Sequence, residues 1–343
     1  MARRALLTVL AALLLTPPAG SAGPVATVKN TKGWIESIGM DGSRLAYAVR
    51  SDTCTKLFVW NVVTHGGALV SGKQTCAADS TSTGAGVREI AVAGLRIAWI
   101  VNTGGNTESD DDLYVASLPK PKERRLVSAL RTGDVDGALA GGWIGALVGD
   151  RDVLAVNTWK TDATGGVTTA ALRRIGEASL TTISSGLQSY RAASADAGRI
   201  AVARQDGTVA LYSRTGTLLR AIVPSSVKEV ALQGGDLAVL TKTRTVEVYS
   251  AATGKRRATW PVKPGATRLD LTAGRAVYAV WRTVHLLKLA DGKDVALPAA
   301  PRAIEGLEIE TPGIVYAYNT AKKAREVGNL AFVPMSKATA LLG

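Results

Sequence analysis

The sequence predicts an all-β fold, a seven-bladed β-propeller of four-stranded antiparallel blades. Three observations carry this. Seven stretches share one pattern, an apolar strand, a turn containing Gly, and a second strand nearly continuous in small and apolar residues. They read WIESIGMDGSRLAYAV, VREIAVAGLRIAWIV, WIGALVGDRDVLAVN, RAASADAGRIAVAR, KEVALQGGDLAVLT, TRLDLTAGRAVYAVW and LEIETPGIVYAYN. Each is followed by a further hairpin with period-two alternation, such as VALYSRTGTLLRAIV from Val209 and VEVYSAATGKRRATWPV from Val246. No segment beyond the leader has a helical apolar stripe with caps.

The turn glycines Gly42, Gly94, Gly149, Gly198, Gly235, Gly274 and Gly313 recur at intervals of 37 to 55 residues. Four strands per repeat at that interval are the signature of a propeller, in which each unit buries its faces only against its neighbours. The apolar second strand fits, since a middle strand is covered on both sides. A β-sandwich would not explain seven similar units. The domain spans 34–343, with blades at roughly 34–78, 86–131, 142–187, 190–225, 227–263, 266–300 and 303–343. The last unit reads as supplying four strands of its own, with KATALL fourth, and PVATVKN at 24–30, in the 23–33 segment, would pair beside it and lock the two ends.

The chain opens with Arg3 and Arg4, an apolar run from Ala5 to Leu15, and small residues, a secretory signal peptide over 1–22. The run is short of the roughly 20 residues that span a bilayer. The expectation is a monomer, secreted or periplasmic and cell-envelope associated, with no membrane span in the mature chain. Only Cys54 and Cys76 are present, and in an oxidising compartment they predict a disulfide. Two thiols alone make a poor zinc site. The net charge is +13, and Arg3 and Arg4 leave with the leader. Such a charge suits an anionic envelope polymer, although KPKERR at 120–125 and KRR at 255–257 sit at hairpin tips as a solvated surface would place them. Nucleic acid is not an expected partner of an exported chain.

The segments RSDTCTK, NTGGNTESDDD and NTWKTDATGG are long where RQDG and TKTR are tight, predicting a raised rim over the first three units. Within it Glu108, Asp110, Asp111 and Asp112, with Asn102 and Asn106, offer oxygen ligands of the kind Ca²⁺ takes. They lack the glycine and closing Glu of an EF-hand loop, and a solvated acidic loop is the blander alternative. Trp159 falls in the third long segment as a candidate exposed anchor, whereas the other tryptophans, including 281, fall mostly on strands where packing explains them. The two histidines, His65 in a turn and His285 in an outer strand, adjoin no nucleophile motif, so acyl transfer is not expected. No metal, catalytic residue or cofactor is assigned.

The hairpin EVYSAATGKRRATW resembles the quinoprotein repeat through Thr253, Gly254, Lys255 and Trp260, and DDLYVASLP is similar to the hairpin of TolB-like units. Together the units resemble secreted and periplasmic β-propellers of the WD-repeat, TolB-like and quinoprotein-like superfamilies. The resemblance implies the architecture of nearly the whole mature chain. It carries over no functional residues, because no unit ends in Trp-Asp and only one has the full Thr-Gly-Lys to Trp pattern. The function expected is a scaffold binding a protein or envelope polymer through its loop face. The alternative is a carbohydrate- or lactone-active enzyme using loop carboxylates.

Overall fold

A computed structural model describes residues 26–343 apart from 52–53, 72–74, 77–84, 106, 134–137, 152, 187–189 and 323–324. The leader and Asn106 lie outside the described residues.

Short alternating runs closed by tight turns leave antiparallel pairing as the only local way to satisfy the backbone, and the strands pair in chain order. Trp34–Asp41, Arg44–Ser51, Cys54–Asn61 and Gly67–Leu69 make the first unit, with Thr75–Cys76 beside its third strand. The second unit runs from Ala85–Ala93 to Arg124–Thr132 and the third from Ala140–Asp150 to Leu180–Gly186. These two share one eight-stranded sheet, joined, among the described residues, where Arg131 pairs with Gly141 and Thr132 with Ala140. Four-stranded sheets follow, beginning at Tyr190–Asp196, Glu229–Gln233 and Thr267–Thr272. The last sheet holds Ile304–Glu310, Gly313–Lys322 and Arg325–Pro334, with Thr27–Lys32 as its fourth strand.

The first strand of each unit touches the first strand of the next, and Trp34–Asp41 touches Ile304–Glu310, so the contacts close a ring. Apolar cores lie between neighbours. Ile35, Leu45 and Trp60 of the first unit pack on Val315, Leu330 and Phe332 of the last. Ile100 and Leu113 of the second meet Ile144 and Leu154 of the third. Each fully buried Leu or Ile contributes about 1.5–3 kcal/mol.

The N-terminal segment does pair with the last unit, but in the place expected of KATALL and not beside it. Thr27 to Lys32 pair with Phe332 back to Val327. KATALL is not a strand: Met335–Ala340 is a short α-helix whose Ala338, with Leu342 beyond it, joins the core between the sixth and last units. The N-terminal strand already satisfies the outward edge of Arg325–Pro334, so the tail has no ladder to join and packs as a helix. Removing residues 23–33 should expose that edge as a template for other chains. The expected result is a lower melting temperature and higher-order species in light scattering. A truncated chain as stable and monomeric as the parent would contradict this closure.

The raised rim also differs in form. The extra residues of the second and third units lengthen strands rather than loops. Arg96–Gly104, Glu108–Ser117, Val153–Thr161 and Val167–Ile175 have nine or ten residues, against five or six in Arg199–Arg204 and Val209–Ser213.

Candidate functional site

Because Glu108 to Asp112 lie in a strand, their side chains alternate between faces. Glu108 is exposed. Asp111 is wholly buried and accepts from Arg131 Nη1 at 2.7 Å and Asn102 Nδ2 at 2.8 Å, with Arg88 Nη2 at 3.5 Å. Asp110 and Asp112 both lie within hydrogen-bond distance of Ser128 Oγ, whose single proton goes to one of them at a time, and Asp112 also pairs with Arg125 at 3.3 Å. The four acids are therefore not gathered around one point, and the picture of a solvated acidic loop gives way to a bonded strand. The partners Arg125, Ser128 and Arg131 come from the adjacent strand, which sequence spacing within the acidic segment could not reveal.

Trp159 is likewise on a strand, half-buried and stacked on its register partner Trp143 with centroids 5.8 Å apart and planes at 4°. The Arg131 guanidinium lies 4.0 Å from the Trp143 ring. Asp111, Arg131, Trp143 and Trp159 thus form one contiguous row. Beside it a groove of about 600 Å³ between the second and third units is lined by residues including Ser128, Trp143, Trp159, Lys160, Arg173 and Ser185, and no carboxylate lines it. Cys54 and Cys76 are register partners in adjacent strands, and no free cysteine occurs among the described residues.

A second set of acids was missed by the sequence reading. The first strands carry carboxylates that accept backbone N–H groups of the next unit. Glu36 accepts from Val87, Glu89 from Leu147, Asp150 from Ala197, Asp196 from Gly234, Glu229 from Leu269 and Asp270 from Ile309. Asp41 bonds both Gly94 and Arg151, and Asn319 exchanges two bonds with Ile35 across the closing seam. These side chains staple unit to unit. The signal was a polar residue recurring at or near the end of the first strand, in MDG, VGD, ADAG and LQGG.

Around the central channel this crowding has an electrostatic cost. Asp41, Asp150 and Glu310 bring carboxylate oxygens within 4.8 Å of one another, at the mouth opposite the long segments. Burial, then the carboxylates of Asp270, Asp41 and Asp150, push Glu310 up to about 8. Burial pushes Asp270 up to about 7 against the lowering bonds from Ile309 and Leu271. Glu308 is raised well above the ordinary range by burial and by Asp270 and Glu310. Protonation relieves the repulsion between like charges.

No family profile and no curated relative matches the sequence. Among solved structures, the WD40 β-propeller domain of Doa1 superimposes with a TM-score of 0.56 at 14% identity, covering 92% of this chain and 98% of that one. Saccharomyces cerevisiae Sqt1 gives 0.51 at 10% identity, covering 91% and 99%. The computationally designed Ika8 protein gives 0.50 at 14%, covering 89% and 99%. The chain has a WD40-like propeller fold. At these identities the likeness concerns the fold alone.

The propeller also explains His285. It is buried, stacked on Tyr278 at 4.8 Å, with Nδ1 3.0 Å from Asp294, which also accepts from the Tyr278 hydroxyl. Glu247, Tyr249 and Arg256 form a comparable bonded set in the preceding unit. Each set ties a third strand to the strand beside it, Tyr278 and Asp294 flanking His285, and Arg256 together with Ser225 holding Glu247.

Proposed function

We propose that this chain is a secreted, seven-bladed propeller that binds a protein or an envelope polymer through its loop face. The ring of contacts between first strands supports seven blades if the eight-stranded sheet is read as two, since its halves are joined, among the described residues, by two residue pairs. The facing register of Cys54 and Cys76 supports a disulfide on that face. Mass measurement with and without reductant tests the bridge, and N-terminal sequencing of exported protein tests cleavage near Ala22.

One observation carries the binding reading. Asp110, Asp111 and Asp112, three of the four acids first singled out as ligands, are already bonded to Ser128, Arg131 and Arg125, whereas the groove beside them has cationic, hydroxyl and indole lining. The test is capture of envelope material by the mature chain and by its Arg173→Glu/Lys160→Glu variant. Capture at physiological salt that drops roughly tenfold in the variant is expected. Equal capture by both that vanishes with salt would leave only diffuse charge attraction.

The convergence of Asp41, Asp150 and Glu310 from three units favours a second reading, the carbohydrate- or lactone-active enzyme. Turnover of such substrates by the parent and its loss in Glu310→Gln would support it. Absence of turnover across a glycoside and lactone set would remove it.

A further inference from the structure

The turn between second and third strands is a four-residue turn in the third, fourth and fifth units, ending on Gly165 at φ 80°, Gly207 at φ 85° and Arg244 at φ 65°. In the sixth unit Val280 pairs with Thr283, so the turn has two residues only, Trp281 and Arg282. Trp281 is its first residue, at φ 49°, a place where such hairpin turns favour Gly, Asn or Asp. A bulky aromatic is disfavoured in this region, and such strain collects at functional positions. Trp281 gains little packing in return, since it is 70% exposed, with the Arg282 guanidinium 5.1 Å from its ring.

The surroundings are of one charge. Segments 241–244, 262–266, 281–282 and 297–303 contain Lys242, Arg244, Lys263, Arg282 and Arg302 and no carboxylate. Backbone bonds join these segments in pairs, Val262 N–H to Arg244 O and Ala300 N–H to Arg282 O, and the pairs meet where Lys263 N–H lies 3.5 Å from the Tyr278 hydroxyl and Gly265 approaches Val280 beside Trp281. The nearby acids are engaged, Asp294 with Tyr278 and His285, and Glu305 with Arg268 at 3.8 Å.

We propose that Trp281 and these five cations form a docking surface on the fifth and sixth units for an acidic protein segment that carries an apolar side chain. The proposal rests on the loop-face binding reading and names its partner chemistry. The cations alone would suit any polyanion. The indole favours a protein segment, because an exposed Trp beside Arg is the composition of a protein-interface anchor, and covering it with an apolar side chain would add hydrophobic burial to the charge attraction.

The test is fluorescence anisotropy with the mature chain at physiological salt. The probes are an acidic peptide with a central Phe-Leu pair, a charge-matched peptide with Ser-Ser there, and dextran sulfate. The Phe-Leu peptide should bind the parent, and Trp281→Gly should weaken it by roughly tenfold or more. The melting temperature of Trp281→Gly should stay level or rise, because glycine relieves the strained turn. Lys242→Glu/Arg302→Glu should weaken both peptides. Failure of the parent to bind the Phe-Leu peptide overturns the proposal, as does binding unaffected by Trp281→Gly, or equal binding of all three probes. If peptide binding fails while envelope capture persists and is lost in the Arg173→Glu/Lys160→Glu variant, this surface falls and the scaffold reading stands. Failure of both assays sinks both.

Discussion

Raising the pH from about 5 to about 8 should lower the melting temperature of the propeller by on the order of 5 °C. Glu308, Glu310 and Asp270 have folded-state values raised above their ordinary ones, to about 8 for Glu310 and about 7 for Asp270. Between the unfolded and folded values the native state binds more protons, so stability falls as pH rises. The protonated carboxyls contribute fully below about pH 4, and the contribution is gone once pH has passed the folded values. Glu310→Gln, neutral throughout, should flatten the decline measured by thermal unfolding across this range. An identical decline in parent and variant would show that this carboxyl is ionised in the folded channel.

The Asp111 to Arg131 pair should show the largest single-site effect on stability. Both side chains are at least 95% buried, and Arg131 also covers Trp143. Arg131→Met leaves a buried carboxylate with only Asn102, a weak bond to Ile144 N–H and the more distant Arg88. The expected cost is about 3–5 kcal/mol in urea unfolding, because the remaining charge is uncompensated. Adding Asp111→Leu should recover much of the loss, since replacing both partners removes the unpaired charge. A cost below about 1 kcal/mol for Arg131→Met would mean that Arg88 takes over the pairing.

The architecture was legible because it is written in local signals that recur. Alternation, a turn and a small-residue middle strand are read within a few residues, and their repetition implies packing of unit on unit. The completion of the last sheet was legible only in part: the N-terminal segment could be named as a locking strand, but that it replaces KATALL depends on Thr27–Lys32 and Arg325–Pro334 being brought together by the closed ring. For the same reason Asp111 read as a ligand: its Arg131 partner lies on the next strand, 20 positions along the chain. Trp281 was grouped with packed strand tryptophans, since composition around it is apolar and its left-handed φ leaves no mark on the sequence. The channel acids were individually unremarkable in sequence, because they sit at differing places along the first strands, and only the closed ring brings Asp41, Asp150 and Glu310 together.

The most direct test of the binding account is to block one face at a time. Thr243 and Thr253 are both exposed and belong to the same unit, at opposite ends of its third strand Thr245–Ser250. Thr243→Cys or Thr253→Cys, coupled to polyethylene glycol, would shield the loop face or its opposite while leaving the propeller intact. Envelope capture and acidic-peptide binding at physiological salt should be lost with the polymer at position 243 and retained with it at 253. Binding retained at 243 and lost at 253 would place the interaction on the mouth where Asp41, Asp150 and Glu310 converge, and would contradict the account.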